Sequence, residues 1–216
     1  MNQTAQPPAR TCCGNQSGAN VPEAIQSRTA PIDGRFDLID HFGQPANERS
    51  FGQQHLLVFF GFTHCAVVCP RELAKLGAAL ESLGSLAERI QALYITVDPQ
   101  RDDPAVMRAC VERHPGRFLG LTGTAAQIEA AKRAYRVFAK PVQDANAPGG
   151  YVVPHTALAY LMAPGGRYVT HLSDSLDVAA VAERLRLHLA GAGAGPMKQP
   201  TDVDSGSPSA MGPEAA

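Results

Sequence analysis

A continuous apolar run of strand length, HLLVFFGF at residues 55–62, constrains the fold more than any other feature of the sequence. A strand with one face in water alternates apolar and polar residues, whereas a run without alternation suits a strand that is covered on both faces. A second run of this kind is IQALYITVDP at residues 90–99. Two such runs indicate the central strands of a parallel sheet that lies between helices.

Helical patterns follow each of these two strands. The leucines after the first run recur at helical spacing, at Leu73, Leu76, Leu80 and Leu83. After the second run, Pro104 suits the first turn of a helix that Asp102 or Asp103 caps. A further helix is predicted to begin after Thr124, because Gln127 completes a capping box.

The segment RFDLIDHFGQ, residues 35–44, alternates apolar and polar residues and predicts a strand before the first apolar run. The predicted elements thus follow the order β, β, α, β, α, α, β, β, α. The last two strands surround a Pro-Gly-Gly turn within residues 156–172, and a helix over residues 177–190 ends the pattern. An alternating βαβ part followed by a hairpin and a helix resembles the thioredoxin-like architecture. The predicted fold class is therefore α/β, thioredoxin-like, with a central mixed sheet flanked by helices.

Composition divides the chain into three parts. Residues 1–30 hold few large apolar side chains, and residues 191–216 are rich in Gly, Pro, Ser and Ala. Neither segment can bury enough apolar surface to offset the entropy of ordering. We therefore expect a flexible N-terminal arm, a folded domain at residues 31–190 and a disordered C-terminal tail. The sequence shows neither a membrane span nor a secretory signal pattern, which leaves its cellular location open.

Charge and cysteine content narrow the range of functions. The formal net charge is -1 without a basic stripe, so nucleic acid is not an expected partner. We also expect the chain to be a monomer. Five cysteines, an odd number in a chain of this size, argue against a structural disulfide framework. Cys12 and Cys13 in the arm are either exposed thiols or an auxiliary metal or redox pair, and Cys110 is expected to pack within a helix.

The other two cysteines, Cys65 and Cys69, lie in GFTHCAVVCP at residues 61–70, where the first central strand passes into a helix. Unpaired N–H groups and the helix dipole favour negative charge at such a corner, so a thiolate there becomes a better ligand or nucleophile. The pair is compatible with metal binding, with disulfide exchange, or with burial as small apolar residues. Three intervening residues, instead of the usual two, weaken a purely redox role.

Two thiolates supply only half of a tetrahedral site, so a metal ion needs a further ligand from elsewhere in the chain. His155 opens the strand that follows the long loop and is one of seven histidines. In a thioredoxin-like fold this strand start lies beside the segment that carries Cys65 and Cys69, residues 62–69, called the cysteine loop below. His155 is therefore the candidate third ligand.

Several segments together make the chain resemble the Sco/SenC family of copper proteins. In chain order they are FFGFTHCAVVCP (59–70), YITVDPQRDDP (94–104), LTGT (121–124) with AYRVF (134–138), and HTALAYLMAPGGR (155–167). The resemblance implies a thioredoxin-like fold that binds copper through the sulfurs of Cys65 and Cys69 and the imidazole of His155. It also implies that the chain delivers copper to the binuclear copper site of cytochrome c oxidase, or reduces its thiols. The expected partner is that oxidase subunit or another thiol-bearing acceptor.

The chemistry of the donors is consistent with copper. Soft thiolates favour Cu(I), and imidazole accepts both copper states. Zinc takes the same donors, although no acid–base partner for zinc hydrolysis stands beside the cysteines. Asp98 lies at the end of a central strand. It is either a carboxylate outside the ligand set that tunes the site or contacts a partner, or a residue that closes a loop with Arg101.

Two places in the sequence depart from the usual pattern of the family. Residues 66–68 are Ala-Val-Val where relatives often have Pro-Asp-Val, and Pro154 precedes His155.

The first hypothesis is a copper metallochaperone and not an enzyme. One alternative is a thiol–disulfide oxidoreductase in which Cys65 attacks, Cys69 resolves and His155 is dispensable. Another alternative is a copper or redox sensor.

Overall fold

The computed structural model describes residues 31–191. Its strands are β1 (Asp37–Asp40), β2 (Pro45–Asn47), β3 (His55–Gly61), β4 (Ile90–Thr96), β5 (Leu119–Thr122), β6 (Val142–Gln143), β7 (Tyr151–Val152), β8 (Leu158–Ala163) and β9 (Arg167–Ser173). Seven of them form one sheet in the spatial order β2-β1-β5-β4-β3-β8-β9. The remaining two, β6 and β7, form a small sheet of their own.

The two apolar runs are the centre of the large sheet. β3 pairs in parallel with β4, from His55 opposite Ile90 to Gly61 opposite Thr96. β4 pairs in parallel with β5, whereas β8 is antiparallel to both β3 and β9. Every residue of β3 is buried, which explains why its sequence does not alternate. The predicted α/β class with a central mixed sheet is confirmed.

Helices cover both faces of this sheet. They are α1 (Val68–Ser82), α2 (Pro104–Val111), α3 (Ala125–Tyr135) and α4 (Val178–Gly191). Leu57 and Phe59 of β3 belong to the core that also contains side chains of α1, α2 and α4. Leu56, Val58 and Phe60 belong to the opposite core, together with side chains of α3. Because successive side chains of a strand point to opposite faces, one strand supplies both cores.

The starts of α2 and α3 show which capping predictions hold. Asp103 caps α2, since its carboxylate accepts a hydrogen bond from the N–H of Val106 over 2.8 Å. The interpretation of Asp102 as the cap is wrong, because its carboxylate is buried and bonded elsewhere. The capping box of Thr124 and Gln127 at the start of α3 is confirmed.

The remaining sequence predictions fall partly outside this region. The N-terminal arm with Cys12 and Cys13, and the C-terminal tail, lie outside the described residues, so the domain limits at residues 31–190 stay a prediction. Cys110 is buried in the core beneath α2, as expected. Between residues 31 and 191, no helix combines the length and the apolar character that crossing a membrane requires.

Candidate metal centre

Both cysteines lie at the carboxyl end of β3, where the chain turns into α1. Cys65 is in the connecting loop and is partly buried, whereas Cys69 is in the first turn of α1 and is 2% exposed. The backbone N–H of Cys69 donates to Cys65 Sγ over 3.4 Å. The Cys65 sulfur thus accepts from one of the N–H groups that the start of a helix leaves unpaired. The four-residue spacing places this sulfur directly against the helix.

The pKa values of the two thiols shift in opposite directions. The Cys69 thiol donates to Cys65, and this bond, together with backbone N–H groups, lowers the pKa of Cys65 to about 5 even though partial burial opposes the shift. The same bond and the burial of Cys69 raise the pKa of Cys69. The pair therefore holds one negative charge and one proton at neutral pH. A metal ion that binds both sulfurs displaces that proton.

A buried carboxylate fixes the loop that precedes Cys65. Asp102 is fully buried and accepts hydrogen bonds from the Thr63 N–H (3.0 Å), the Thr63 hydroxyl (2.6 Å) and the Thr96 hydroxyl (2.6 Å). These bonds tie the cysteine loop to the end of β4 and the start of α2. The sequence does not indicate this role of Asp102. Asp102 and Asp103 both stand just before Pro104, and an aspartate in this place has the pattern of a helix cap.

Tyr94 and Gly61 form the wall behind Cys69. A methyl group on Gly61 would lie 2.7 Å from the Tyr94 hydroxyl and 2.8 Å from Cys69 Sγ, so only glycine leaves room for both groups. The Tyr94 hydroxyl is buried without a hydrogen-bond partner among residues 31–191, and burial raises the pKa of Tyr94. A buried hydroxyl in this place can donate to the Cys69 sulfur when that sulfur carries negative charge.

His155 reaches Cys69 from a different part of the chain. Its backbone forms an isolated bridge with Ala139, and its ring packs edge-on against Phe62 with centroids 5.7 Å apart. Nδ1 bonds the carbonyl oxygen of Val153 over 2.8 Å. Because a carbonyl only accepts, Nδ1 carries a hydrogen, and in the neutral imidazole Nε2 is then the nitrogen with the lone pair. Nε2 lies 3.8 Å from Cys69 Sγ.

The spacing between Cys69 and His155 suits a shared metal ion. Ligands that bind one ion at lengths of about 2.3 Å for sulfur and 2.0 Å for nitrogen lie roughly 3.5–3.8 Å apart. The separation between Cys69 Sγ and His155 Nε2 in the structure is 3.8 Å. No group of three His, Cys, Asp or Glu side chains in the described region is fully arranged around a metal position. A three-ligand site with Cys65 therefore requires some rearrangement of side chains.

Asp98 lies just beyond the carboxyl end of β4 and is buried, and its carboxylate bonds neither cysteine sulfur. It accepts from Arg101 Nε over 2.5 Å and from the Tyr151 hydroxyl over 2.9 Å. The predicted ion pair with Arg101 is present. Because Tyr151 belongs to β7, Asp98 contacts the segment that carries His155.

The fold and the site together define a class of protein: a thioredoxin-like domain with two cysteines at a strand-to-helix corner and a histidine brought against them. The family model described as SCO1/SenC matches residues 24–190 of this chain. The chain belongs to the SCO1/SenC family, and the resemblance that the sequence motifs indicated is confirmed.

Several curated relatives of this chain are named as mitochondrial proteins. "Protein SCO2 homolog, mitochondrial" of Mus musculus is 38% identical over 172 residues, which cover 78% of this chain and 66% of the relative. "Protein SCO1 homolog, mitochondrial" of Homo sapiens is 31% identical over 160 residues, which cover 73% of this chain and 53% of the relative. The matched region thus spans about half to two thirds of the length of these relatives.

Solved structures of relatives have the same fold. The structure of Arabidopsis thaliana ScoI with copper bound has a TM-score of 0.70 and 29% identity, and the match covers 74% of this chain and 99% of that chain. The structure of Bradyrhizobium japonicum ScoI with copper bound has a TM-score of 0.66 and 36% identity, with 72% and 98% covered. The predicted thioredoxin-like fold is confirmed.

Proposed function

We propose that this chain is a copper carrier of the Sco type, in which Cys65, Cys69 and His155 hold the ion. The observation that supports this most directly is the 3.8 Å separation between Cys69 Sγ and a His155 Nε2 that keeps its lone pair. Membership of the SCO1/SenC family and the copper-bound structures of two relatives support copper as the ion. Copper is the cargo of the protein, taken up and then passed on.

The donor set suits Cu(I). Thiolates are soft ligands that favour Cu(I), and imidazole accepts either copper state. Because the pKa of Cys65 is lowered to about 5 by the Cys69 thiol and nearby N–H groups, one sulfur is ionised before the ion arrives. Zinc binds the same donors, so a comparison of the two metals belongs to the test.

Delivery requires ligand exchange and no net redox change. An acceptor thiolate binds Cu(I), and a carrier ligand leaves. Neutral His155 is suited to leave first, since its departure separates no charge. The bonds from copper to the sulfurs of Cys65 and Cys69 then break as a second acceptor sulfur binds. The acceptor thiols release two protons, of which one returns to Cys69 and the other goes to solvent because Cys65 stays ionised. Copper remains Cu(I) throughout.

The partner and the working unit belong to the same proposal. The acceptor is the copper-site subunit of cytochrome c oxidase or another thiol-bearing protein. Residues 31–190 act as the carrier domain, and the domain works as a monomer. The SCO1/SenC match over residues 24–190 supports assigning the function to this region.

A second candidate function is reduction of a partner disulfide, and the opposite pKa shifts of the two thiols favour it. The Cys65 thiolate attacks one sulfur of the partner disulfide and forms a mixed disulfide. Cys69 loses its proton and attacks Cys65, which gives a Cys65–Cys69 disulfide. The partner leaves with two thiols. His155 takes no part in this sequence.

The experiment that separates the two functions is an anaerobic Cu(I) titration of the reduced protein against a competing chelator. The variants are Cys65→Ser, Cys69→Ser and His155→Ala, each also titrated with zinc. The control is His171→Ala, since the His171 side chain bonds the Tyr168 hydroxyl in β9.

The copper function predicts one equivalent of tightly bound Cu(I). It also predicts a loss of affinity in all three site variants and none in His171→Ala. Weak binding that is indifferent to His155 contradicts the copper function and favours the reductase. In that case, the reduction potential of the Cys65–Cys69 pair becomes the quantity to measure.

A further inference from the structure

The histidine hairpin, residues 138–156, carries His155 but is not part of the large sheet. Its strands β6 and β7 have two residues each and pair with each other. At its base, the N–H of Thr156 donates to the carbonyl oxygen of Phe138 over 2.9 Å. Contacts other than strand pairing with the large sheet must therefore hold this hairpin at a fixed distance from Cys69.

Arg101, in the loop between β4 and α2, makes such contacts. Its Nη1 donates to the carbonyl oxygens of Pro148 (2.7 Å) and Tyr151 (3.3 Å), both in the histidine hairpin. Its guanidinium carbon also lies 3.7 Å from the centroid of the Tyr151 ring. A planar guanidinium can donate in a fork and stack at the same time, which a lysine cannot do.

The same arginine is fixed to the body of the domain. Arg101 Nε donates to one oxygen of the buried Asp98, and the Tyr151 hydroxyl donates to the other oxygen. The N–H of Asp98 donates to the Thr96 hydroxyl over 2.9 Å. That hydroxyl in turn donates to Asp102, the anchor of the cysteine loop. A continuous chain of hydrogen bonds therefore joins the anchor of the cysteine loop to the histidine hairpin.

Arg101 also contacts the His155 imidazole indirectly, through the Phe62 ring. The guanidinium carbon lies 5.8 Å from the centroid of Phe62, whose ring contacts His155. The hairpin also leaves space for the arginine, since a methyl group on Gly149 would lie 3.1 Å from Nη1. The backbone at Gly149 and the rings of Tyr151 and Phe62 thus surround the Arg101 side chain.

We propose that Arg101 is the positioning residue for His155: it pins the histidine hairpin to the body of the domain and so sets the distance between the imidazole and the Cys69 sulfur. The mechanism rests on the hairpin contacts alone, whereas its consequence for copper rests on the proposed function. Arg101→Lys keeps the charge but removes the forked donation and the stacking. The hairpin then loosens, and His155 contributes less to metal affinity.

The mechanism is tested first without metal, by amide hydrogen exchange. In Arg101→Lys, we expect faster exchange in the histidine hairpin and unchanged exchange in β3. The control is Arg108→Lys, since Arg108 also pairs with a carboxylate, that of Glu112, and also lies over an aromatic ring. This control should leave the hairpin unaffected. Hairpin exchange in Arg101→Lys that matches the wild type overturns the proposal.

The consequence is tested by Cu(I) competition in a double-mutant cycle. Arg101→Lys should lower Cu(I) affinity about tenfold, the lower end of the effects of residues that orient metal ligands. In the His155→Ala background the same change should have no further effect, because Arg101 acts through the missing imidazole. An equal loss in both backgrounds overturns the proposal. If the wild type binds no Cu(I), the copper function fails, and hydrogen exchange still decides whether Arg101 pins the hairpin.

Discussion

The cysteine loop and the histidine hairpin meet at one site but are held in opposite ways. The loop is fixed to the core, since Cys69 is 2% exposed and the fully buried Asp102 holds Thr63 with two hydrogen bonds. The hairpin has strands of two residues and is held by Arg101 and Tyr151 together with the buried side chain of Val153. Segments with few buried contacts open at lower free energy than core strands. Under the proposed copper function, two donors fixed to the core beside one donor on a less firmly anchored hairpin suit release of the ion.

The largest expected effect concerns the charge held in the cysteine loop. A pKa of about 5 for Cys65, against an ordinary 9.0, raises its thiolate fraction at pH 6 by a factor on the order of a thousand. Because this pKa is lowered, the thiolate persists as pH falls and disappears only near pH 5. Titration of the ultraviolet thiolate absorbance of the metal-free, reduced protein measures it.

Two variants sharpen that titration. Cys69→Ala removes the thiol that donates to Cys65, so the pKa of Cys65 should rise. Cys110→Ala removes a buried thiol in the core beneath α2 and should leave the transition near pH 5 in place. A wild-type protein that shows no thiolate below pH 8 contradicts the account of the loop.

The next effect tests what fixes the loop. Asp102→Ala leaves the Thr63 N–H and the Thr63 and Thr96 hydroxyls without their acceptor, which should lower the free energy of unfolding by about 3–5 kcal/mol. Asp103→Ala removes only a helix cap and should cost about 1 kcal/mol. Urea denaturation compares the two variants. Equal losses would show that Asp102 is not the anchor.

A smaller effect is expected at the wall behind Cys69. Gly61→Ala brings a methyl group within 2.8 Å of Cys69 Sγ and should cost about 1–3 kcal/mol of stability by overpacking. Gly120→Ala is the matched control, a buried strand glycine whose nearest neighbour, Met107 Cβ, would lie 3.2 Å away. Thermal unfolding should show the larger loss for Gly61→Ala. The reverse order contradicts the tight packing inferred at Cys69.

The smallest effect is expected from Tyr94→Phe. The lost hydroxyl is buried without a partner among the described residues, so its removal should change the free energy of unfolding by no more than about 1 kcal/mol. Urea denaturation of the reduced, metal-free protein measures this change. A loss above about 2 kcal/mol would mean that the hydroxyl already makes a hydrogen bond that matters for the fold.

Local patterns in the sequence predicted the fold and the cysteine half of the site. The buried strands β3 and β4 show as unbroken apolar runs, and the start of α3 shows as the capping box of Thr124 and Gln127. Cys65 and Cys69 stand out because their spacing and their strand-to-helix corner are both readable along the chain. Each of these features depends on residues that are close in sequence.

The features that the sequence did not predict are too short to show a pattern or depend on contacts that only the folded chain makes. The strands β6 and β7 have two residues each, too few to show a period. The stacking of Arg101 on Tyr151 joins residues that are far apart in sequence, and no local pattern indicates it. Asp102 and Asp103 are chemically identical neighbours, and only the folded backbone decides which one caps α2 and which one anchors the loop.

The most direct test of the account is X-ray absorption at the copper edge of the Cu(I)-loaded protein, recorded for the wild type and for His155→Ala. The account predicts two sulfur ligands and one imidazole nitrogen in the wild type, and loss of the nitrogen alone in His155→Ala. Sulfur-only coordination in both proteins, or an imidazole that persists in His155→Ala, would contradict a site made by the cysteine loop and the histidine hairpin together.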